Sequence, residues 1–330
     1  MQRRRFPASH ARGIAAPRAS ACEGIGLKRG SETNMSDVVW QGLTTAELDR
    51  QFNLRARWPS HEAAFSRWSQ SSAVQRQTGT WLELTYGDDP LQRIDLALPD
   101  RPAAGGPLLV FVHGGYWQSL DKGDFSFPAP AFLEAGIAYA SLNYRLAPAV
   151  RLQEIAGDVA AALDCLRSQA PRHGLAEDGI VIAGHSAGGH LALVELLRDR
   201  LAVAETGAPP RFAAACSISG IYDLAPVRLS YQQPLLRVST TEVLDLSPLR
   251  QAPLSAPPLL LVVGDRETAE FVRQQDALAS LWRDLDLPVE SRRLAGADHF
   301  TVVDGLADAA DPLTVWLIEA CLTASHRRTV

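Results

Sequence analysis

The chain has 330 residues, of which 46% are hydrophobic and 21% are charged, a composition typical of a soluble globular protein. Its formal net charge of −5, without basic clusters in the body of the chain, argues against a nucleic-acid partner. No stretch of the sequence approaches the roughly 20 consecutive apolar residues that a membrane span requires.

The first 34 residues differ in composition from the rest of the chain. Three consecutive arginines follow Gln2, and the segment is rich in Ala, Ser, Pro and Gly but has no apolar core of the kind that secretion signals need. We expect residues 1–34 to be a disordered basic leader, or to precede a true translation start at Met35. A transit peptide is the alternative interpretation. Residues 35–330 are predicted to form a single domain.

The four cysteines favour a reducing compartment. Their wide spacing resembles neither a metal-binding pattern nor a disulfide framework, so we expect reduced thiols and a cytoplasmic location. The residues concerned are Cys22, Cys165, Cys216 and Cys321.

Short helices are predicted between Trp40 and Gln77, where aromatic residues are interspersed with polar ones, and we expect them to cover the core or to form part of a cap. Two strands follow, at Thr80–Tyr86 and Leu91–Leu98. The turn residues between them, Gly87 to Pro90, indicate an antiparallel hairpin at a sheet edge.

The next part of the chain alternates short apolar runs with helical patterns. Such alternation predicts an α/β fold with a mostly parallel central sheet and helices on both faces. The predicted strands are Leu108–Val112, Ile137–Leu142, Ile180–Ala183, Phe212–Ile218, Leu259–Val263 and Pro288–Leu294. The predicted helices are Phe132–Ala135, Leu152–Gln169, Gly189–Leu201, Glu270–Asp284 and Asp311–Ala324. Residues 223–257 interrupt the alternation, and we interpret them as a small cap or insertion.

A GxSxG pentapeptide, Gly184-His185-Ser186-Ala187-Gly188, joins a predicted strand to a predicted helix. In that setting the pattern is typical of a nucleophile elbow, whose tight turn exposes one serine hydroxyl. The two glycines allow strand and helix to approach closely. We therefore predict that Ser186 is a nucleophile.

A serine nucleophile requires a base and a carboxylate to orient that base. His299 is the predicted base, because it follows the last strand and precedes the last helix, as the chain order Ser, acid, His requires. Two carboxylates after Leu259–Val263 compete for the third role. Asp265 is nearer the strand end, whereas Glu267 occupies the third position after Gly264, where enzymes of this general class usually place the acid. We favour Glu267, with Asp265 as the alternative.

The motif His113-Gly114-Gly115-Tyr116-Trp117 follows the strand Leu108–Val112. Loops at this position complete an oxyanion hole together with the residue after the nucleophile, each donor contributing roughly 3 kcal/mol. We predict that the backbone N–H groups of Gly115, Tyr116 and Ala187 are the donors and that Gly114 shapes the turn.

Taken together, these motifs resemble the α/β-hydrolase fold, in the branch of the hormone-sensitive lipases and esterases, and within it the kynurenine formamidase (arylformamidase) family. That family carries an HGGxW loop, so Trp117 is the discriminating residue. Three further segments are similar: Ser119 to Ser126, Ser219 to Leu224, and Asp298 to Phe300. The sequence departs from the family at Glu267, because family members usually have aspartate as the acid.

The resemblance implies a serine hydrolase that converts N-formyl-L-kynurenine, a small molecule, to formate and L-kynurenine in tryptophan catabolism. It implies that Tyr116, Trp117 and Tyr222 line an aromatic pocket and that His113 also contacts the substrate, although core packing accounts equally well for Tyr222. It calls for no metal or organic cofactor and no nucleic-acid or membrane partner, and it permits a homodimer.

Two other functions fit the same motifs. A carboxylesterase or amidase could act on another small acyl, carbamoyl or aryl substrate, since pocket shape is not visible in the sequence. A non-catalytic binding module would be expected to lack one of Ser186, His299 and a nearby acid, and none of these is missing.

Overall fold

The computed structural model describes residues 37–101 and 104–326, except for the side chain of residue 326. The predicted leader, residues 1–34, lies outside these ranges. A small antiparallel pair of strands, β1 (Val38–Trp40) and β2 (Leu43–Thr44), begins the described chain. An eight-stranded sheet follows, with the spatial order β10-β9-β8-β7-β5-β6-β4-β3. Its strands are β3 (Trp81–Thr85), β4 (Arg93–Ala97), β5 (Leu108–Val112), β6 (Ala138–Leu142), β7 (Ile180–His185), β8 (Phe212–Ile218), β9 (Leu259–Gly264) and β10 (Val289–Leu294).

The strands β5 to β10 are mutually parallel, and β3 and β4 form an antiparallel hairpin at one edge. The interior strands β5, β6, β7 and β9 are completely buried, whereas the two edge strands β3 and β10 are partly exposed. Continuous apolar runs become interior strands because both of their faces are covered. The predicted mostly parallel sheet with an edge hairpin is confirmed.

The helices are α1 (Thr45–Phe52), α2 (Leu54–Arg57), α3 (His61–Thr78), α4 (Ala129–Glu134), α5 (Leu152–Gln169), α6 (Ala187–Thr206), α7 (Leu224–Leu229), α8 (Gln233–Leu236), α9 (Thr240–Leu246), α10 (Ala269–Asp284) and α11 (Pro312–His326). Short 3-10 helices lie at Lys122–Phe125, Ala170–His173, Pro248–Arg250 and Thr301–Ala307. No helix of the described ranges has the length and apolarity to span a membrane.

Helices α3 and α6 differ most from the sequence prediction. Helix α3 is a single element of 18 residues and not one of several short helices, and it buries only Ala64, Trp68 and Ser72. So narrow a buried stripe gives little helical periodicity in the sequence. Helix α6 starts at Ala187, two residues before the predicted start. The elbow turn decides where this helix begins, although Gly188 and Gly189 have poor helix propensity.

The segment predicted to interrupt the alternation contains α7, α8 and α9. It contacts both the beginning of the described chain and the loop after β5. The backbone N–H of Tyr231 donates to Asp49 of α1 at 2.7 Å, and the side-chain amide of Gln118 donates to Gln232 at 2.8 Å. These short helices therefore lie beside the loops that follow the carboxyl ends of the strands, where α/β proteins usually carry their sites.

Candidate active site

Ser186 lies at a strained turn between β7 and α6, with φ 55° and ψ −118°. The turn depends on the neighbouring glycines, because a Cβ at Gly188 would lie 2.0 Å from the carbonyl oxygen of Val112. A Cβ at Gly184 would lie 2.3 Å from the carbonyl oxygen of Gly188. The backbone N–H of Ser186 donates to Ile218 of β8 at 2.8 Å. Strand and helix thus pack closely enough to hold the serine in a conformation that non-glycine residues rarely adopt.

The side chains of Ser186, His299 and Glu267 form one hydrogen-bonded chain. Nε2 of His299 lies 3.0 Å from Oγ of Ser186, and Nδ1 of His299 lies 2.8 Å from Oε2 of Glu267. A carboxylate only accepts hydrogen bonds, so Nδ1 carries the proton and Nε2 can accept the serine proton. Both side chains of the His299–Glu267 pair are almost fully buried.

The second oxygen of Glu267 has its own partners. Oε1 accepts a hydrogen bond from the hydroxyl of Ser219 and another, at 3.2 Å, from the backbone N–H of Gly264. Asp265, the competing acid, is exposed and accepts instead from the backbone N–H of Gly296 at 2.8 Å. The geometry therefore brings Glu267, and not Asp265, to the imidazole. Sequence reasoning did not identify Ser219 as a partner of the acid.

His185, the residue before Ser186, holds the backbone of His299. Its Nε2 donates to the carbonyl oxygen of His299 at 2.8 Å, and the two rings lie 4.9 Å apart. Burial, with a smaller contribution from the neighbouring His299, holds the pKa of His185 well below its usual range. The His185 imidazole is therefore neutral at physiological pH and adds no positive charge beside the ring of His299.

The loop after β5 passes next to the elbow. A Cβ at Gly114 would lie 3.1 Å from the Cβ of Ser186, and Gly115 has φ 104° with no room for a side chain beside Ser119. Among the described residues, none accepts a hydrogen bond from the backbone N–H of Gly115, Tyr116 or Ala187. Ala187 is the first residue of α6, where N–H groups have no partner within the helix. These three donors are available to an oxyanion.

Two aromatic side chains fix this loop. The ring of His113 stacks on that of Tyr144 with centroids 4.5 Å apart, and the Tyr144 hydroxyl donates to the carbonyl oxygen of His113 at 2.8 Å. The hydroxyl of Tyr116 donates to the carbonyl oxygen of Phe52 at the end of α1, at 2.5 Å. The loop after β5 is thus connected to the helices at the start of the described chain.

A small pocket opens onto Ser186 and His299. Its cavity measures about 20 Å³, room for roughly one water molecule. Besides Gly115, Tyr116 and His185, its lining comprises apolar side chains and one charged side chain: Leu54, Phe65, Trp68, Leu120, Phe300 and Arg55. The sequence predicted that the helices of this region cover the core or form part of a cap, but not that α2 and α3 line this pocket, because a polar helix does not indicate which distant strand end it will cover. A bulky substrate requires some of these side chains to move.

Of the residues expected to contact substrate, Tyr116 lines this pocket and the other three lie elsewhere. His113, Trp117 and Tyr222 are fully buried and do not line this pocket. Trp117 packs edge-on against the ring of His190, and the Tyr222 hydroxyl donates to Ser217 at 2.9 Å. They stabilise the surroundings of the elbow. Within the described ranges, no group of three or more His, Cys, Asp or Glu side chains is arranged to hold a metal ion.

Comparison with known proteins identifies one matching family profile and several similar hydrolases. The BD-FAE family profile matches residues 94–280. The chain is similar to kynurenine formamidase from Danio rerio, with 26% identity over 86% of this chain and 98% of that protein. It is also similar to esterase LipC from Mycobacterium tuberculosis, with 31% identity over 67% of this chain and 60% of that protein.

A solved structure resembles the whole architecture. The crystal structure of a candidate thioesterase from Silicibacter sp. superposes with a TM-score of 0.71 and 28% identity, covering 82% of this chain and 98% of that one. The solved structure of esterase B from Lactobacillus rhamnosus shares the fold, with a TM-score of 0.63. The two chains are 19% identical, and the match covers 82% of this chain and 98% of that one. The predicted α/β-hydrolase fold is thereby confirmed.

Proposed function

Since the chain belongs to the BD-FAE family and is a hydrolase of the α/β-hydrolase type, we propose that it cleaves the C–N bond of a small aryl formamide. N-formyl-L-kynurenine, which would yield formate and L-kynurenine, is the proposed substrate. The observation that carries the proposal is the hydrogen-bonded chain from Ser186 through His299 to Glu267. The similarity to relatives named kynurenine formamidase over nearly their full length supports the choice of a formamide.

In the proposed mechanism Oγ of Ser186 attacks the formyl carbon while Nε2 of His299 takes the serine proton. The carbonyl oxygen becomes an oxyanion that accepts hydrogen bonds from the N–H groups of Gly115, Tyr116 and Ala187. His299 then gives its proton to the leaving nitrogen, the C–N bond breaks and the amine departs. Water, deprotonated by His299, then attacks the formyl ester of Ser186. The bond between the formyl carbon and Oγ breaks, His299 returns its proton to Oγ, and formate leaves.

Two features of the site suit this chemistry. Glu267 keeps Nδ1 of His299 protonated and stabilises the imidazolium, while Ser219 and Gly264 hold the carboxylate in place. Ser186 and His299 both line the pocket, so a carbonyl group that enters it lies beside the nucleophile and the base. The location of the enzyme in the cytoplasm and its dependence on no cofactor remain part of the same proposal.

The test compares specificity constants for N-formyl-L-kynurenine and p-nitrophenyl acetate. We expect the larger value for the formamide. Ser186→Ala should abolish both activities, and a fluorophosphonate probe should label the wild type at Ser186 but not the variant. A much larger specificity constant for the ester would contradict the formamide assignment, and absence of labelling would favour a non-catalytic binding module.

A carboxylesterase acting on a small acyl ester is the second candidate. The similarity to esterase LipC at 31% identity favours it. The same triad and oxyanion donors would perform this reaction, because ester and formamide hydrolysis share the tetrahedral intermediate. Only the relative rates on the two substrate classes separate these candidates.

A further inference from the structure

Arg55 is the one fixed charge in the lining of the pocket, within the part of the chain that the structure describes. It belongs to the short helix α2 and lines the same small cavity as Ser186 and His299. The other lining side chains are apolar, apart from Tyr116 and the two histidines. His185 is neutral because burial depresses its pKa. Arg55 is exposed and therefore accessible to an anion, and the apolar side chains of the lining strengthen that attraction relative to a charge wholly surrounded by water.

The position of the guanidinium is fixed by two contacts. Nη2 of Arg55 donates to Oγ of Ser119 at 2.6 Å, and the guanidinium carbon lies 5.4 Å from the centroid of the Phe65 ring. Oγ of Ser119 in turn donates to the carbonyl oxygen of Gly115 at 3.2 Å. Arg55 is therefore connected to the loop that supplies two of the proposed oxyanion donors.

No carboxylate of the described ranges forms an ion pair with Arg55. Two arginines of α3 do have such partners: Arg67 pairs with Asp304 at 2.7 Å and Arg76 pairs with Asp95. Arg57 of α2, like Arg55, has no ion pair with a carboxylate of the described ranges. Asp49, on the preceding helix, accepts a hydrogen bond from the backbone N–H of Tyr231 instead. A guanidinium has five N–H donors, and the hydrogen bond to Ser119 uses one of them. The others are available to a planar anion.

We propose that Arg55 binds a carboxylate of the substrate, so that this hydrolase selects acyl compounds with a carboxylate on the leaving-group side of the scissile carbonyl. The identity of the natural substrate rests on the proposed function, since N-formyl-L-kynurenine carries such a carboxylate. The binding of an anion by Arg55 does not rest on the proposed function. An arginine can hold a carboxylate with two parallel hydrogen bonds, which fixes the orientation of the substrate as well as its charge.

The experiment measures kcat/KM for two matched substrate pairs. The formamide pair is N-formyl-L-kynurenine and 2′-formamidoacetophenone, which lacks the amino-acid part. The ester pair is 2-acetoxybenzoate and phenyl acetate, which differ by one carboxylate on the leaving group. The variants are Arg55→Gln and Arg55→Lys. Arg57→Gln is the matched control, because Arg57 is exposed, packs over Trp58 and does not line the pocket.

In Arg55→Gln we expect the preference for the anionic member of a pair to fall about tenfold or more, mainly through KM. Arg55→Lys should keep part of the preference, and Arg57→Gln should keep all of it. In the wild type, added salt should weaken hydrolysis of the anionic substrate more than that of the neutral one. Equal losses on both members of a pair, or no loss on either, would overturn the role of Arg55.

The outcomes separate the two proposals. If the wild type cleaves only esters, the formamidase assignment fails. The role of Arg55 in binding a carboxylate is then tested by the ester pair alone. If the wild type cleaves the formamides but Arg55→Gln leaves the preference for the anion unchanged, the formamidase assignment stands and the role of Arg55 fails. If neither pair is cleaved, both proposals fail.

Discussion

Ser186 is one of several non-glycine residues around the site whose backbone has a left-handed φ. Tyr116, Trp117 and Ser219 have φ values of 52°, 58° and 51°. Such conformations cost about 1 kcal/mol or more each and persist only where the surroundings hold them. Here the N–H of Ser219 donates to Val262 at 2.7 Å, and the carbonyl oxygen of Trp117 accepts from Ala147 at 2.8 Å. The strained residues therefore depend on strand ends that the fold has already fixed.

At the same scale, the acid can be assigned by mutation. We expect Glu267→Gln to lower kcat by about 10²- to 10⁴-fold, because a glutamine no longer stabilises the imidazolium of His299. The measurement is steady-state kinetics on whichever substrate class the wild type prefers, with circular dichroism as the check on folding.

Asp265→Asn is the matched control for this variant. Asp265 accepts one hydrogen bond from Gly296 at 2.8 Å, and an asparagine oxygen can do the same. Its kcat should stay within about threefold of the wild type. A larger loss in Asp265→Asn than in Glu267→Gln would mean that the acid is wrongly assigned.

Helix α6 is the element that connects the elbow to the short helices after β8. His190, in its first turns, donates through Nε2 to the carbonyl oxygen of Leu246 at the end of α9, at 2.7 Å.

The sequence predicted the strands well because apolar runs report burial on both faces. It did not predict α7, α8 and α9, because four to seven residues are too few to show a helical period.

The contact between α6 and α9 predicts a pH-dependent stability. Burial lowers the pKa of His190 to about 4, from the ordinary value of about 6.5 that the unfolded chain would have. The folded state therefore binds fewer protons than the unfolded state between these two values, and stability falls as the pH is lowered through that window. The contribution amounts to roughly 3 kcal/mol at most.

Denaturant unfolding of the wild type and of His190→Gln, from pH 7.5 to pH 4, measures this contribution. Glutamine keeps a donor for Leu246 but does not titrate. We expect the free energy of unfolding of the wild type to fall more steeply below pH 6.5 than that of the variant. Parallel curves for the two proteins would contradict the role of His190.

At the scale of the whole molecule, the site draws on parts of the chain that are far apart in sequence. Leu54 and Arg55 come from the first helices, Ser186 from the middle and His299 from near the end. Phe52 packs against Phe271 with ring centroids 6.1 Å apart, and Phe271 lies against His299. The helices at the start of the described chain are therefore part of the site, and not an appendage to it.

The leader before these helices is expected to be dispensable. We expect a variant starting at Met35 to keep the thermal unfolding midpoint of the full chain and a kcat/KM within about twofold, because the composition of residues 1–34, basic and rich in Pro, Gly and Ser, predicts no apolar segment for a core. Thermal scans and kinetics on both forms provide the check. A clearly lower midpoint, or a larger loss of activity, would show that residues 1–34 contribute to the fold.

The sequence by itself located three motifs of the candidate site. They are the elbow at Ser186, a histidine after the last strand and a glycine loop after β5. It could do so because each motif depends on local backbone geometry that few residue types allow. The sequence favoured Glu267 over Asp265, but only the tertiary structure showed that Glu267 reaches His299, that Ser219 is its partner and that Arg55 lines the pocket. Those contacts depend on distances between residues far apart in the chain, which are set by the packing of strands and helices and leave no local pattern in the sequence.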